Sequence, residues 1–188
     1  FQEGDASDLR DLKDRTFDHV LTVFGAMFAP KPFEVAQEMV RVTKPGGRIV
    51  MGNWIPNDPT SFVSQLLKIS SAFAPPPPEG FVSPMTWGVE SHVVERFERA
   101  GVSAERVSME RDTFTFSSDE HGPVQFIEKF RRFYGPTMNA FAAAEENGLA
   151  EDLHAQLLAL ALEQNNADEQ SGGGFSIPAT FLRVTVEV

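Results

Sequence analysis

The sequence contains no cysteine, which excludes disulfides, thiolate metal sites and cysteine nucleophiles. Basic residues are scarce: 16 Lys and Arg stand against 27 Asp and Glu, and the net charge of −11 argues against phosphate-backbone binding. Acidity of this kind serves solubility. No run of about 18 apolar residues is present, so no membrane span is expected. No signal peptide is visible, although the chain opens with Phe1 rather than Met. The expected partners therefore include neither nucleic acid nor membrane, and the expected location is cytoplasmic. The four histidines, His19, His92, His121 and His154, are scattered without metal-ligand spacing. No Ser-His-Asp set follows from spacing either. No GxGxG occurs, and the one glycine cluster, Gly172–Gly174, follows a polar stretch rather than a strand. It reads as a loop, not a nucleotide fingerprint.

What the chain does have is length for one domain, 188 residues, and 41% hydrophobic content, enough for a core. Its 17 phenylalanines contrast with a single tyrosine. Most are expected to be ordinary core, and part of the excess to line an apolar cavity. The organising stretch is Phe17–Trp54. An apolar run, Val20–Phe24, predicts a strand, and a small-residue loop, Gly25–Pro30, follows it. A helical pattern to Thr43 then places Phe33, Val35, Ala36, Met39, Val40, Val42 and Thr43 on one face and Glu34, Gln37, Glu38 and Arg41 on the other. Pro30 and Pro32 suit the helix entry. The breaker Lys44-Pro45-Gly46-Gly47 stops it, and a second strand runs from Arg48 to Trp54. Both strands are mostly apolar and are expected to be covered on both faces, with His19 packed in the core. Strand, helix and strand with short connections make a βαβ unit of a parallel sheet.

Phe17, Asp18 and Val20, the pairs Glu38-Met39 and Arg41-Val42, and Lys44–Ile49 resemble the middle of the class I S-adenosylmethionine-dependent methyltransferases of the small-molecule type. The resemblance implies a Rossmann-like α/β sheet, mostly parallel, with an antiparallel last strand and extra helices between the last two strands. It implies S-adenosylmethionine as methyl donor and a small-molecule acceptor. Asp5 and Ala6 stand where the family meets the adenine, and an ionised carboxylate can only accept hydrogen bonds. The alternative role for Asp5 is to cap a helical turn over Ser7–Leu12. Phe24 and Gly25 are the further cofactor candidates, and Gly25 permits close backbone approach. Met27, Phe28, Trp54 and Trp87 are the substrate candidates. The family's glycine-rich turn and the acidic residue after it are expected ahead of Phe1. The chain therefore reads as the C-terminal two-thirds to three-quarters of such an enzyme, too incomplete to bind the cofactor well. The missing strands would leave a raw sheet edge and a tendency to self-associate.

The remainder reads as one methyltransferase domain with two additions. Residues 55–88 hold a helical pattern, Thr60–Phe73, and four prolines, Pro75–Pro78. A long excursion of this kind is expected to cover the substrate pocket. Ser91–Ala100 predicts a helix capped by Ser91, with Val93, Val94 and Phe97 inward and a Glu95–Arg99 pair on the solvent face. Glu105–Phe116 predicts a strand with a bulge near Arg111-Asp112. Residues 122–166 predict a helical insert. Ala179–Val188 alternates as a half-buried strand, the pattern of antiparallel pairing.

Methyl transfer from a sulfonium is an in-line displacement, for which the protein chiefly aligns the reactants; no general base follows from the sequence. Two alternatives accompany this reading. A nicotinamide-dependent oxidoreductase shares the βαβ core but keeps its sheet parallel. A non-catalytic binding module could keep the fold without the cofactor site.

Overall fold

The computed structural model describes residues 2–167 and 174–188; Gly172 and Gly173 of the glycine cluster lie outside the described residues. The first apolar run forms β1 (Phe17–Val23). Helix α1 (Pro32–Val42) follows, and it buries Val35, Ala36, Met39 and Val42, the face set by its 3.6-residue period. Strand β2 (Thr43–Trp54) lies parallel to β1, with Val20 opposite Ile49 and Thr22 opposite Met51. The last strand, β4 (Phe175–Glu187), pairs antiparallel to β2, with Ile49 opposite Val186 and Trp54 opposite Phe181. The sheet order is β1-β2-β4-β3, where β3 is Val107–Ser118. Ion pairing of Arg183 with Glu110, and the Ser108 hydroxyl 3.4 Å from the Thr185 carbonyl, run β3 and β4 in opposite directions. The fold is thus mixed α/β with an antiparallel final strand, as expected.

The Lys-Pro-Gly-Gly segment differs from its reading as a turn ahead of the strand. Phe17 pairs with Thr43 and His19 with Arg48, so Lys44–Gly47 loop out of a strand that has already begun. Gly46 sits at φ 79°, where only glycine is unstrained. A Cβ on Gly47 would lie 2.8 Å from the Asp18 carbonyl oxygen. The loop is tied to the chain end, because the Gly47 carbonyl accepts from the Val188 N–H at 3.0 Å.

Strand β1 corrects a second expectation. Leu21 is 69% and Val23 75% exposed, and His19 is exposed rather than core. The physical reason is position: β1 ends the strand order, and its half-buried residues, Val20 and Thr22, alternate with these exposed ones.

By contacts the chain forms two compact units. The first comprises Phe1–Pro56, Glu79–Asp112 and Phe181–Val188. In it α1 packs against α3 (Glu90–Arg99). Helix α3 starts one residue before Ser91, which lies in its first turn instead of capping it, and the Glu95–Arg99 pair forms at 2.8 Å. The second unit comprises Asn57–Pro78 and Thr113–Thr180. Its helices are α2 (Phe62–Phe73), α4 (Pro123–Phe133), α5 (Gly135–Glu146) and α6 (Ala150–Glu163). Phe62, Phe126, Phe130 and Phe175 form its aromatic core. Ala140 and Ala144 share one face of α5 and are buried. Residues 55–88 are therefore divided: α2 packs with α5 and α6 of the helical insert, and Glu79–Gly88 belong to the first unit.

Candidate functional site

Ligands of open α/β sheets bind beyond the carboxyl ends of the parallel strands, and the first unit builds an aromatic cluster there. Phe24 follows β1 at φ 54°, a left-handed conformation that costs a non-glycine residue about 1–2 kcal/mol. Its N–H donates to the Gly52 carbonyl at 3.0 Å, which extends the β1–β2 ladder by one bond. Its ring stacks on Trp54 with centroids 3.7 Å apart and planes 2° from parallel. Phe181 meets the Phe24 ring edge-on at 5.3 Å. The bare backbone of Gly52 makes room, since a Cβ there would sit 3.4 Å from the Phe24 ring.

The next residues form a single turn, Ala26–Phe28, fixed by the Thr22 hydroxyl oxygen, which accepts from the Ala26 N–H at 2.9 Å. Met27 is 2% exposed, whereas Phe28 is 40% exposed. This turn packs against a second one, Pro84–Gly88. Close approach of the second turn to β2 requires Gly88: a Cβ there would lie 2.0 Å from the Trp54 carbonyl oxygen. Trp87 is buried, its ring covered by the Arg96 guanidinium at 4.4 Å.

Asp5 is exposed and closes a local turn, its Oδ1 accepting from the Ser7 N–H at 2.8 Å. The capping role weighed for it takes this form, in an irregular turn without a helix. The segment behind Asp5 is clamped to α1. Glu38 Oε2 accepts from the Leu9 N–H at 2.6 Å. Arg41 donates to the Leu9 and Leu12 carbonyls at 2.8 and 2.9 Å, and to Glu38 and Asp14. The Arg41 guanidinium and the Leu9 amide hold the Glu38 carboxyl below its usual range against a smaller opposing effect of burial. Glu38 in turn holds Arg41 above its own.

Of the candidates read from sequence, Phe24 and Trp54 are in ring contact, and Gly25 follows Phe24 in the chain. The turns carrying Met27, Phe28 and Trp87 meet each other. Asp5 and Ala6 lie on the segment whose Leu9 and Leu12 are held by Glu38 and Arg41. Sequence reading did not mark Phe181, Arg41, Arg96 or Gly88 as site residues. Phe181 alone carried a usable signal, since antiparallel pairing of the last strand puts an aromatic residue opposite Trp54. Among the described residues no group of His, Asp or Glu could hold a metal ion, and no helix is long and apolar enough to cross a membrane.

Residues 1–51 match a family model described as a methyltransferase domain. An uncharacterized protein of Mycobacterium tuberculosis is 32% identical over 133 residues, 70% of this chain and 45% of that protein. A second from the same organism is 30% identical over 166 residues, 87% of this chain and 57% of its own length. The chain thus spans about half the length of the curated relatives it matches. Among solved structures, a candidate methyltransferase from an antibiotic biosynthesis pathway of Anabaena variabilis superposes with a TM-score of 0.52 at 15% identity. That match covers 98% of this chain and 72% of the other. The chain resembles the class I methyltransferases: residues 1–51 in sequence, nearly the whole chain in fold.

Proposed function

We propose that this chain, whose first 51 residues match a methyltransferase domain, forms part of an enzyme that methylates a small molecule from S-adenosylmethionine. The observation that carries the reading is the sheet order β1-β2-β4-β3 with β4 antiparallel to β2. A nicotinamide-dependent oxidoreductase of the Rossmann type keeps its sheet parallel, so the final strand speaks for the methyltransferase.

The residues present fit the adenosine end of the donor. Asp5 offers an exposed carboxylate, only one oxygen of which is engaged by Ser7, and a carboxylate accepts from an exocyclic amine. Ala6 follows it on the segment that Arg41 and Glu38 clamp. Gly25 leaves open backbone, since a Cβ there would meet nothing nearer than 3.7 Å. Phe24, next to Gly25 in the chain, adds an aromatic edge. S-adenosylmethionine supplies, when bound, a methyl group already activated on a sulfonium sulfur. The chain's own task is then to hold and align, which suits a rim of aromatic rings and fixed backbone without an evident general base. No GxGxG occurs in residues 1–188, so a glycine-rich turn of that form, where the whole protein has one, lies outside them.

A small-molecule acceptor agrees with the net charge of −11, which disfavours nucleic acid. Phe28 and the Trp87 turn are the nearest candidates for contact with it, and the 55–88 stretch for its cover. Calorimetry with S-adenosylhomocysteine on the product of the full reading frame tests the proposal. Saturable heat is expected, and a well-folded product that gives none would overturn it.

A further inference from the structure

Arg96 lies on α3 with 4% of its surface exposed. Among the described residues its side chain has one hydrogen bond, from Nη2 to the Thr86 hydroxyl oxygen at 2.6 Å. Thr86 directs its own proton elsewhere, to the Ser83 carbonyl at 2.7 Å, so its lone pair faces the guanidinium. One face of the guanidinium lies over the Trp87 ring. Its remaining donors, Nε and Nη1, are buried without a partner among the described residues, and so is the Trp87 Nε1–H. The neighbouring carboxylate on the same helix, Glu95, is turned to Arg99 on the solvent side.

A buried guanidinium without a counter-charge is costly, and buried N–H groups normally find acceptors. Burial pushes Arg96 down to about 10, with only a lesser opposing effect from Glu95. The hydrogen inventory defines what would relieve it. Nη2 carries two hydrogens, one beside Nε–H and one beside an Nη1 hydrogen, and Thr86 takes only one of them. Whichever it takes, the other edge keeps two parallel N–H donors. That fork matches the two oxygens of a carboxylate, and the Trp87 Nε1–H is a third donor on the ring that the guanidinium covers.

We infer that Arg96 and Trp87, held by the Pro84–Gly88 turn, form a binding site for the carboxylate of a small organic acid. The site shares Trp87 with the proposed acceptor contacts, but carboxylate recognition by Arg96 does not require methyl transfer; it would recognise the same group on a substrate or on a regulatory ligand.

The test is an NMR titration of the whole chain that follows the Arg96 Nε–H resonance, assigned by its loss in Arg96→Lys. The probe is sodium benzoate at constant ionic strength, with benzamide as the neutral counterpart and inorganic phosphate as the tetrahedral anion. Benzoate is expected to shift the resonance saturably, and benzamide to leave it in place. Arg96→Lys, read on the Trp87 Nε1–H signal, is expected to bind roughly tenfold more weakly because an ammonium lacks the planar fork. Three results would each overturn the assignment: no saturable shift with benzoate, an equal shift with benzamide, or saturation by phosphate alone. Should Arg96→Lys fail to fold, the three titrations of the unaltered protein still decide, with the resonance assigned through its contacts to Trp87.

Discussion

The Phe24 ring lies flat on Trp54 while its own backbone holds a left-handed turn, φ 54°. The strain and the stack are two sides of one arrangement, since that turn aims the ring back across the end of β2. Trp54→Ala is expected to cost about 3–5 kcal/mol, the range for a large buried aromatic side chain. At position 24 the usual order of small residues should invert. Phe24→Gly should be more stable than Phe24→Ala by roughly 1 kcal/mol, because glycine alone accepts that φ freely. Urea unfolding followed by far-UV circular dichroism measures both.

Gly88→Ala should destabilise by about 1–3 kcal/mol, the cost of overpacking, because the new methyl would meet the Trp54 carbonyl at 2.0 Å. Gly135→Ala is the control. Its Cβ would meet nothing within 4 Å, and a change within about 0.5 kcal/mol is expected. Equal effects in the two variants would contradict the close approach.

The Arg41–Glu38 clamp predicts a pH dependence. The folded pKa of Glu38 lies below its unfolded value. Its contribution is thus present above the ordinary carboxyl range near pH ~4.3 and is lost as pH falls through the folded value. The stability difference between the unaltered chain and Glu38→Gln should hold level from pH 7 down to the ordinary carboxyl range and shrink below it toward pH 3. A difference that stays constant over that range would remove the clamp's charge as its source.

Asp5 has two roles that substitution separates. Asparagine keeps an oxygen for the Ser7 N–H, whereas alanine does not. Asp5→Asn should therefore leave stability nearly unchanged and weaken S-adenosylhomocysteine binding about tenfold, the equivalent of one lost hydrogen bond to a charged group. Asp5→Ala should do both. Calorimetry and urea melts on the full reading frame's product read the two effects apart.

The exposed pair Leu21 and Val23 on β1 leads us to propose that residues 1–188 alone self-associate along that strand. Sedimentation should show association that rises with concentration and falls in Leu21→Lys. A monomer at every concentration would refute it.

How much of this was legible follows from what periodicity encodes. The α1 wheel, the helical insert of residues 122–166 and the alternating last strand were readable because burial repeats at 3.6 or 2 residues. The looped-out Lys44–Gly47 was not, since its partner, Val188, lies at the far end of the chain. The exposure of His19 and Leu21 depends on where β1 stands in the sheet, which no local pattern records. In the candidate site, the position of Phe24 and Trp54 at one end of the sheet was legible because strand ends can be placed from sequence. Arg96 was missed because an arginine beside a helix's apolar stripe reads as solvent-facing, and only tertiary packing buries it.

Both tryptophans, Trp54 and Trp87, belong to the first unit, while the single tyrosine, Tyr134, belongs to the second. Selective excitation of indole therefore follows the melting of one unit with no mutation or dye. The phenol, read by its ultraviolet absorbance, follows the other. The native chain carries its own pair of spectroscopic reporters for asking whether the two units unfold together.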